Sequence, residues 1–166
     1  MQPHSLTFPF PLPRTHTGLP LGNGAFGALA WSASPDTLNL TVSRNDFWDR
    51  RNGGRLPKGA TYERVKEAYA TGDPQAMREI LSPNAADVWR SGARPSTVLP
   101  VGRFEFQLRE GVLLESGTVG TARGRIEIRL AGTSARIELV MGTSTDVLWL
   151  RDPAGLIAAV TCRPAW

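Results

Sequence analysis

From Val98 to Thr161 apolar and polar residues alternate in short runs. Phe104, Phe106 and Leu108 share one face of a segment from Arg103 to Arg109, Ile126, Ile128 and Leu130 share a face of Arg125 to Leu130, and Ile137, Leu139 and Met141 continue the pattern over Arg136 to Met141. A period of two predicts strands with one buried face. Asp146 to Arg151 and Leu156 to Thr161 add two more, with glycine, serine and proline at the breaks. Upstream, Ala25 to Ser32 and Leu38 to Ser43 predict a hairpin turned by Pro35-Asp36, with Leu38, Leu40 and Val42 on one face.

The period changes in the middle of the chain. Tyr62, Val65 and Tyr69 recur at helical spacing and Gly72 is placed to end that helix. Asp73-Pro74 supplies an N-cap and a first-turn proline for a second helix bearing Met77, Ile80 and Leu81, which Pro83 stops. Asn52 to Gly59, rich in glycine and basic residues, predicts a loop. Residues 1 to 17 interleave Pro3, Pro9, Pro11 and Pro13 with Phe8 and Phe10, which predicts an extended leader barred from the middle of a sheet, its phenylalanines tucked in. The expected fold is therefore mainly β: an antiparallel β-sandwich over residues 18–166, with two short helices inserted.

Composition narrows the function classes. The chain has 166 residues, enough for one well-buried domain, and no apolar run long enough to span a bilayer, so membrane partners are not expected. Its net charge of +4 is almost wholly arginine, with Lys58 and Lys66 the only lysines. The arginines are scattered rather than patched, which argues against nucleic acid. The first twenty residues lack the apolar core and small-residue cleavage site of a secretory signal, and the compartment stays open. The single cysteine, Cys162, allows no internal disulfide, and His4 and His16 have no metal-ligand spacing with any cluster, so neither a metal nor another cofactor is expected.

Two stretches carry candidate chemistry. Gly22-Asn23-Gly24 with Gly27 leads into a strand rather than a helix and carries no lysine, so it is not a phosphate loop. Asn23 reads either as a tight turn with positive φ or as a ligand contact. Asn45, Asp46, Trp48 and Asp49 bring together an amide, two carboxylates and an indole, the groups that hold sugar hydroxyls and the C–H face of a pyranose. The same residues also suit a packing anchor with a capped turn. Hydrolysis by paired carboxylates needs two groups about 5–9.5 Å apart. Asp46, Asp49, Glu63, Glu105, Glu110, Glu115, Asp146 and Asp152 are available, but none lies in a recognisable catalytic motif. No catalytic residue is assigned. Trp31, Trp89 and Trp149 fit core packing or, if exposed in a row, carbohydrate stacking.

Leu19-Pro-Leu-Gly-Asn-Gly24, followed after a strand by Asn45-Asp-Phe-Trp48, resembles the opening signature of the N-terminal sandwich domain of α-L-fucosidase-type glycoside hydrolases, family 95. The helices and Leu99-Pro-Val-Gly102 extend the likeness across roughly residues 18 to 161. The resemblance implies a supersandwich-like domain whose catalytic acid and base lie downstream of Trp166, in a helical barrel. This chain would then be an inactive scaffold that meets glycan through the parent enzyme, with Asn23, Asn45, Asp46 and Trp48 near the cleft. Family members are often secreted or periplasmic. Alternatives are a free-standing carbohydrate-binding module, with Trp48 as its platform, and an enzyme with an unrecognised carboxylate pair. The stop after the apolar Ile157-to-Val160 strand further predicts an unpaired sheet edge and an exposed apolar patch near Trp166.

Overall fold

The computed structural model describes residues 4–49, 59–81 and 97–164, less the side chains of 49, 97 and 98. Two compact units emerge, one of residues 1–47 and 98–166 and the other of residues 48–97. The first is the sandwich. Its strands are β1 (Ser5–Pro9), β2 (Leu19–Gly22), β3 (Phe26–Ser34), β4 (Thr37–Asp49), β5 (Thr97–Leu108), β6 (Leu114–Gly120), β7 (Arg125–Leu130), β8 (Arg136–Met141), β9 (Leu148–Arg151) and β10 (Ile157–Pro164), with the ends of β4 and β5 running into the second unit. They form two five-stranded antiparallel sheets in the orders β1-β6-β7-β8-β9 and β10-β5-β4-β3-β2.

The alternation seen in the sequence builds the core directly. Ile126 and Ile128 of β7 sit across from Leu139 and Ile137 of β8, and with Leu130 all are 0% exposed. Each such side chain contributes about 1.5–3 kcal/mol by leaving water. The facing sheet alternates large and small: Leu19–Ala30–Leu40 forms one row and Leu21–Ala28–Val42 the next. Four-residue β2 is about 13 Å long at ~3.3 Å per residue. It lies across β6, β7 and β8, which span about 10 Å at the usual strand spacing. The two sheets therefore cross steeply here, and Leu19 reaches down onto Gly117 of β6.

Three strands exceed the sequence expectations. Within the leader, residues 5–9 form β1, pairing with β6 at a sheet edge, where proline is tolerated. Phe10 is buried but Phe8 is 40% exposed, so only one leader phenylalanine is tucked in. Leu19–Gly22, for which the sequence predicts no strand, is the edge strand β2, with Pro20 exposed. The third is β6. At the other edge, β10 pairs with β5 alone among the described strands. Val160 of β10 is 56% exposed beside Phe104 and Phe106, as the apolar edge predicted for Ile157 to Val160; Trp166 lies outside the described residues.

The second unit holds both expected helices. α1 (Tyr62–Thr71) is capped by the Thr61 hydroxyl, which accepts from the Arg64 amide, and ends at Gly72 with φ 66°. α2 (Pro74–Leu81) begins with the Asp73 carboxylate accepting from the Gln75 amide. Ala68 of α1 and Ile80 of α2 are buried, whereas Tyr62 and Tyr69 are 75% and 79% exposed. Helical spacing placed these tyrosines on the apolar stripe, but the small Ala68 occupies the buried position instead. Residues 52–58 of the predicted loop, the stop at Pro83 and Trp89 lie outside the described residues.

Candidate functional site

The glycine-rich turn is built around one carboxamide. Asn23 follows β2, and its Oδ1 accepts hydrogen bonds from the backbone N–H groups of Ala25 at 3.0 Å and Phe26 at 2.8 Å. Its Nδ2 donates to the carbonyls of Gly142 at 3.0 Å and Thr145 at 3.1 Å, in the loop between β8 and β9. Two acceptances and two donations use the full capacity of the group. The side chain thus shapes its own turn and ties one sheet to the other. Positive φ, expected at Asn23, falls on Gly24 at 93°, and no described non-glycine residue has it. The Asx-type bonds explain the shift, because they close the turn while Asn23 keeps an ordinary backbone conformation.

Asn45 holds the other flank of the same turn. Its backbone N–H donates to Ala25 O at 3.0 Å and its Nδ2 to Gly24 O at 2.8 Å. One residue on, Asp46 faces Arg44 in a two-point contact, Nε to Oδ1 at 2.9 Å and Nη2 to Oδ2 at 3.1 Å. The third guanidinium nitrogen of Arg44 bonds Asp146 in the β8–β9 loop. Asn23, Asn45 and Asp46 are therefore gathered at one end of the sandwich. Trp48, 43% exposed, belongs to the other compact unit.

The gathered groups already have partners. Hydrogen bonds from Arg44 hold the Asp46 carboxyl below its ordinary range, and Asp46 and then Asp146 push the Arg44 guanidinium further up. Glu105, on the outer face of β5, is held below its ordinary range first by Arg163 and then by Arg103. A general acid in glycoside hydrolysis needs the opposite shift. Asp152 accepts from the Ile157 amide at 2.8 Å and so shapes the β9–β10 turn. Among the described residues no three His, Cys, Asp or Glu side chains are grouped to hold a metal, and no helix is long and apolar enough to cross a membrane.

Arg44, Gly142 and Thr145 were absent from the sequence expectations. Arg44-x-Asp46 places opposite charges on one face of a strand, a usable local signal. The β8–β9 partners lie more than a hundred residues away and left no such signal. Trp31 is buried, with its Nε1 donating to Thr41 Oγ1 at 2.9 Å, whereas Trp149 is 52% exposed.

Lowered carboxylate pKa values fix the sign of the acid response. Hydrogen bonds from Ser34, Gln107 and Thr37 also hold Asp36 low. Groups depressed on folding add stability that is complete above their unfolded pKa, about 4, and is lost as pH falls through the folded values. The melting temperature is expected to fall below about pH 4, and less steeply in Glu105→Gln. Melting curves at stepped pH check this; an acid slope identical in the variant contradicts it.

No protein family and no curated protein matches this chain.

Proposed function

We propose that the chain is a non-catalytic scaffold domain of a glycoside hydrolase-like protein of the α-L-fucosidase type, which packs on a helical catalytic barrel and helps to wall the glycan cleft. The β-sandwich with two short helices is the architecture that the motif resemblance implies. The observation that carries the scaffold role is the use of the motif asparagines. Asn23 and Asn45 spend their side-chain amides on the turn and the β8–β9 loop. The arginine-held Asp46 and Glu105 support a non-catalytic role in the same way. A carbohydrate-binding module is the second reading, favoured by the 43% exposure of the Trp48 indole.

Assays with aryl α-L-fucosides should give turnover at the buffer level. Turnover lost on Asp46→Asn or Glu105→Gln would overturn the scaffold reading in favour of an enzyme. On an array of neutral glycans the scaffold alone should give no signal. Specific glycan capture abolished by Trp48→Ala would establish the module instead.

A further inference from the structure

A groove of about 320 Å³ opens on the outer face of the β10-β5-β4-β3-β2 sheet. Pro100 and Pro164 wall it, and Thr15, Thr41, Arg103 and Arg163 supply its polar lining. None of these residues takes part in the Asn23–Asn45–Asp46 end of the sandwich, and the inference does not depend on the scaffold reading.

The charges in the groove do not balance. Glu105 receives Arg103 Nη2 at 2.6 Å and Arg163 Nε at 2.7 Å, so one carboxylate serves two guanidinium groups. Glu105 stays ionised because both arginines favour its charged form. Among the described residues one positive charge is left over. The nearest outward residue along β5 is the neutral Gln107, whose side chain is turned to Asp36.

Arg103 is also held in place before any ligand arrives. Its guanidinium carbon lies 5.6 Å from the ring centroid of buried Trp31, within cation–π range. Trp31 in turn is fixed by its bond to Thr41 Oγ1. Since that hydroxyl accepts from the indole, its own proton remains to donate into the groove. Arg163, on the edge strand, has a side chain 59% exposed. A rigid arginine, a second arginine and hydroxyl donors around one excess charge form a receptor for a monoanion. The volume is at the lower end for small-molecule sites, about 300–1,000 Å³.

We infer that this groove binds a singly charged oxyanion, a carboxylate or a sulfate ester, carried on a sugar-sized polyol. The excess of one positive charge matches a monoanion better than a phosphate dianion, and the threonine hydroxyls suit the polyol.

The test is a titration of the whole ¹⁵N-labelled chain, followed by amide shifts, with galacturonate, galactose 6-sulfate, galactose and inorganic phosphate. Galacturonate, galactose 6-sulfate or both should shift the amides of Thr41, Gly102 and Arg163 to saturation, and the pair of responses identifies the anion. Galactose should leave those amides in place, and added salt should weaken binding. Arg163→Ala, at an exposed position, should keep the melting temperature near that of the parent. It should weaken binding roughly tenfold, the effect of losing one charge-assisted contact. Arg103→Lys, which keeps the charge but loses the planar fork, should also weaken it. Response to neither acidic sugar, equal response to galactose, or tighter binding of phosphate would each overturn the inference.

Discussion

Gly117→Val is expected to destabilise the protein by about 3 kcal/mol, the upper part of the usual range for overpacking. Gly117 lies across from Phe8 on one side and Ile128 on the other, facing the core from β6. A Cβ there would stand 2.8 Å from Cε2 of Phe10 and closer still to Cδ1 of Leu19. Both neighbours are themselves buried, so neither can swing away without opening a void. The sign is informative, because a glycine in a strand free of such contacts gains roughly 0.4–1 kcal/mol when a side chain is added. Denaturant unfolding measures the difference. Leu19→Ala in the same chain should return part of the loss, giving a coupling between the two sites; strictly additive effects would show that Leu19 and Gly117 do not share this space.

Asn23→Ala is expected to cost about 2–4 kcal/mol, because four modest hydrogen bonds disappear and partly buried backbone groups lose their partners. The amides of Ala25 and Phe26 and the carbonyls of Gly142 and Thr145 all depend on this one side chain. Asn23→Asp separates the two roles: it keeps the acceptor that closes the turn and removes the donor that reaches the β8–β9 loop. It should therefore recover part of the lost stability while leaving the loop between β8 and β9 faster in hydrogen exchange. Thermal melts and amide exchange distinguish these outcomes. An unchanged melting temperature in Asn23→Ala would show that the carboxamide does not clamp the sheets.

The strands most legible in the sequence were those whose burial is decided by one face. β7 and β8 begin and end where Ile126-x-Ile128-x-Leu130 and Ile137-x-Leu139-x-Met141 predict, because every inward position is apolar. β6 was hidden for the opposite reason. At Gly117 the inward position carries no side chain, since Leu19 of β2 and Phe10, just after β1, fill that volume. β2 was concealed by Pro20 and Gly22, residues of turns that an edge strand also tolerates. At the candidate site, Asn23 and Asn45 were visible as turn-forming residues. The cross-sheet role of Asn23 was not visible, because its hydrogen bonds to Gly142 and Thr145 are set by how the sheets cross rather than by local pattern.

The order β10-β5-β4-β3-β2 makes β4 and β5 direct neighbours, although the chain between them includes both helices. In connectivity, β4 and β5 are the arms of a single hairpin, and the chain between them carries α1 and α2. Entropy makes a long connection of this kind inexpensive, since each doubling of a loop costs only about 0.6 kcal/mol in closure. The sandwich can therefore act as a chassis with one interchangeable cartridge: lengthening, shortening or replacing the insert leaves the order of the ten strands untouched. Diversity among proteins built on this plan would be sought first between β4 and β5.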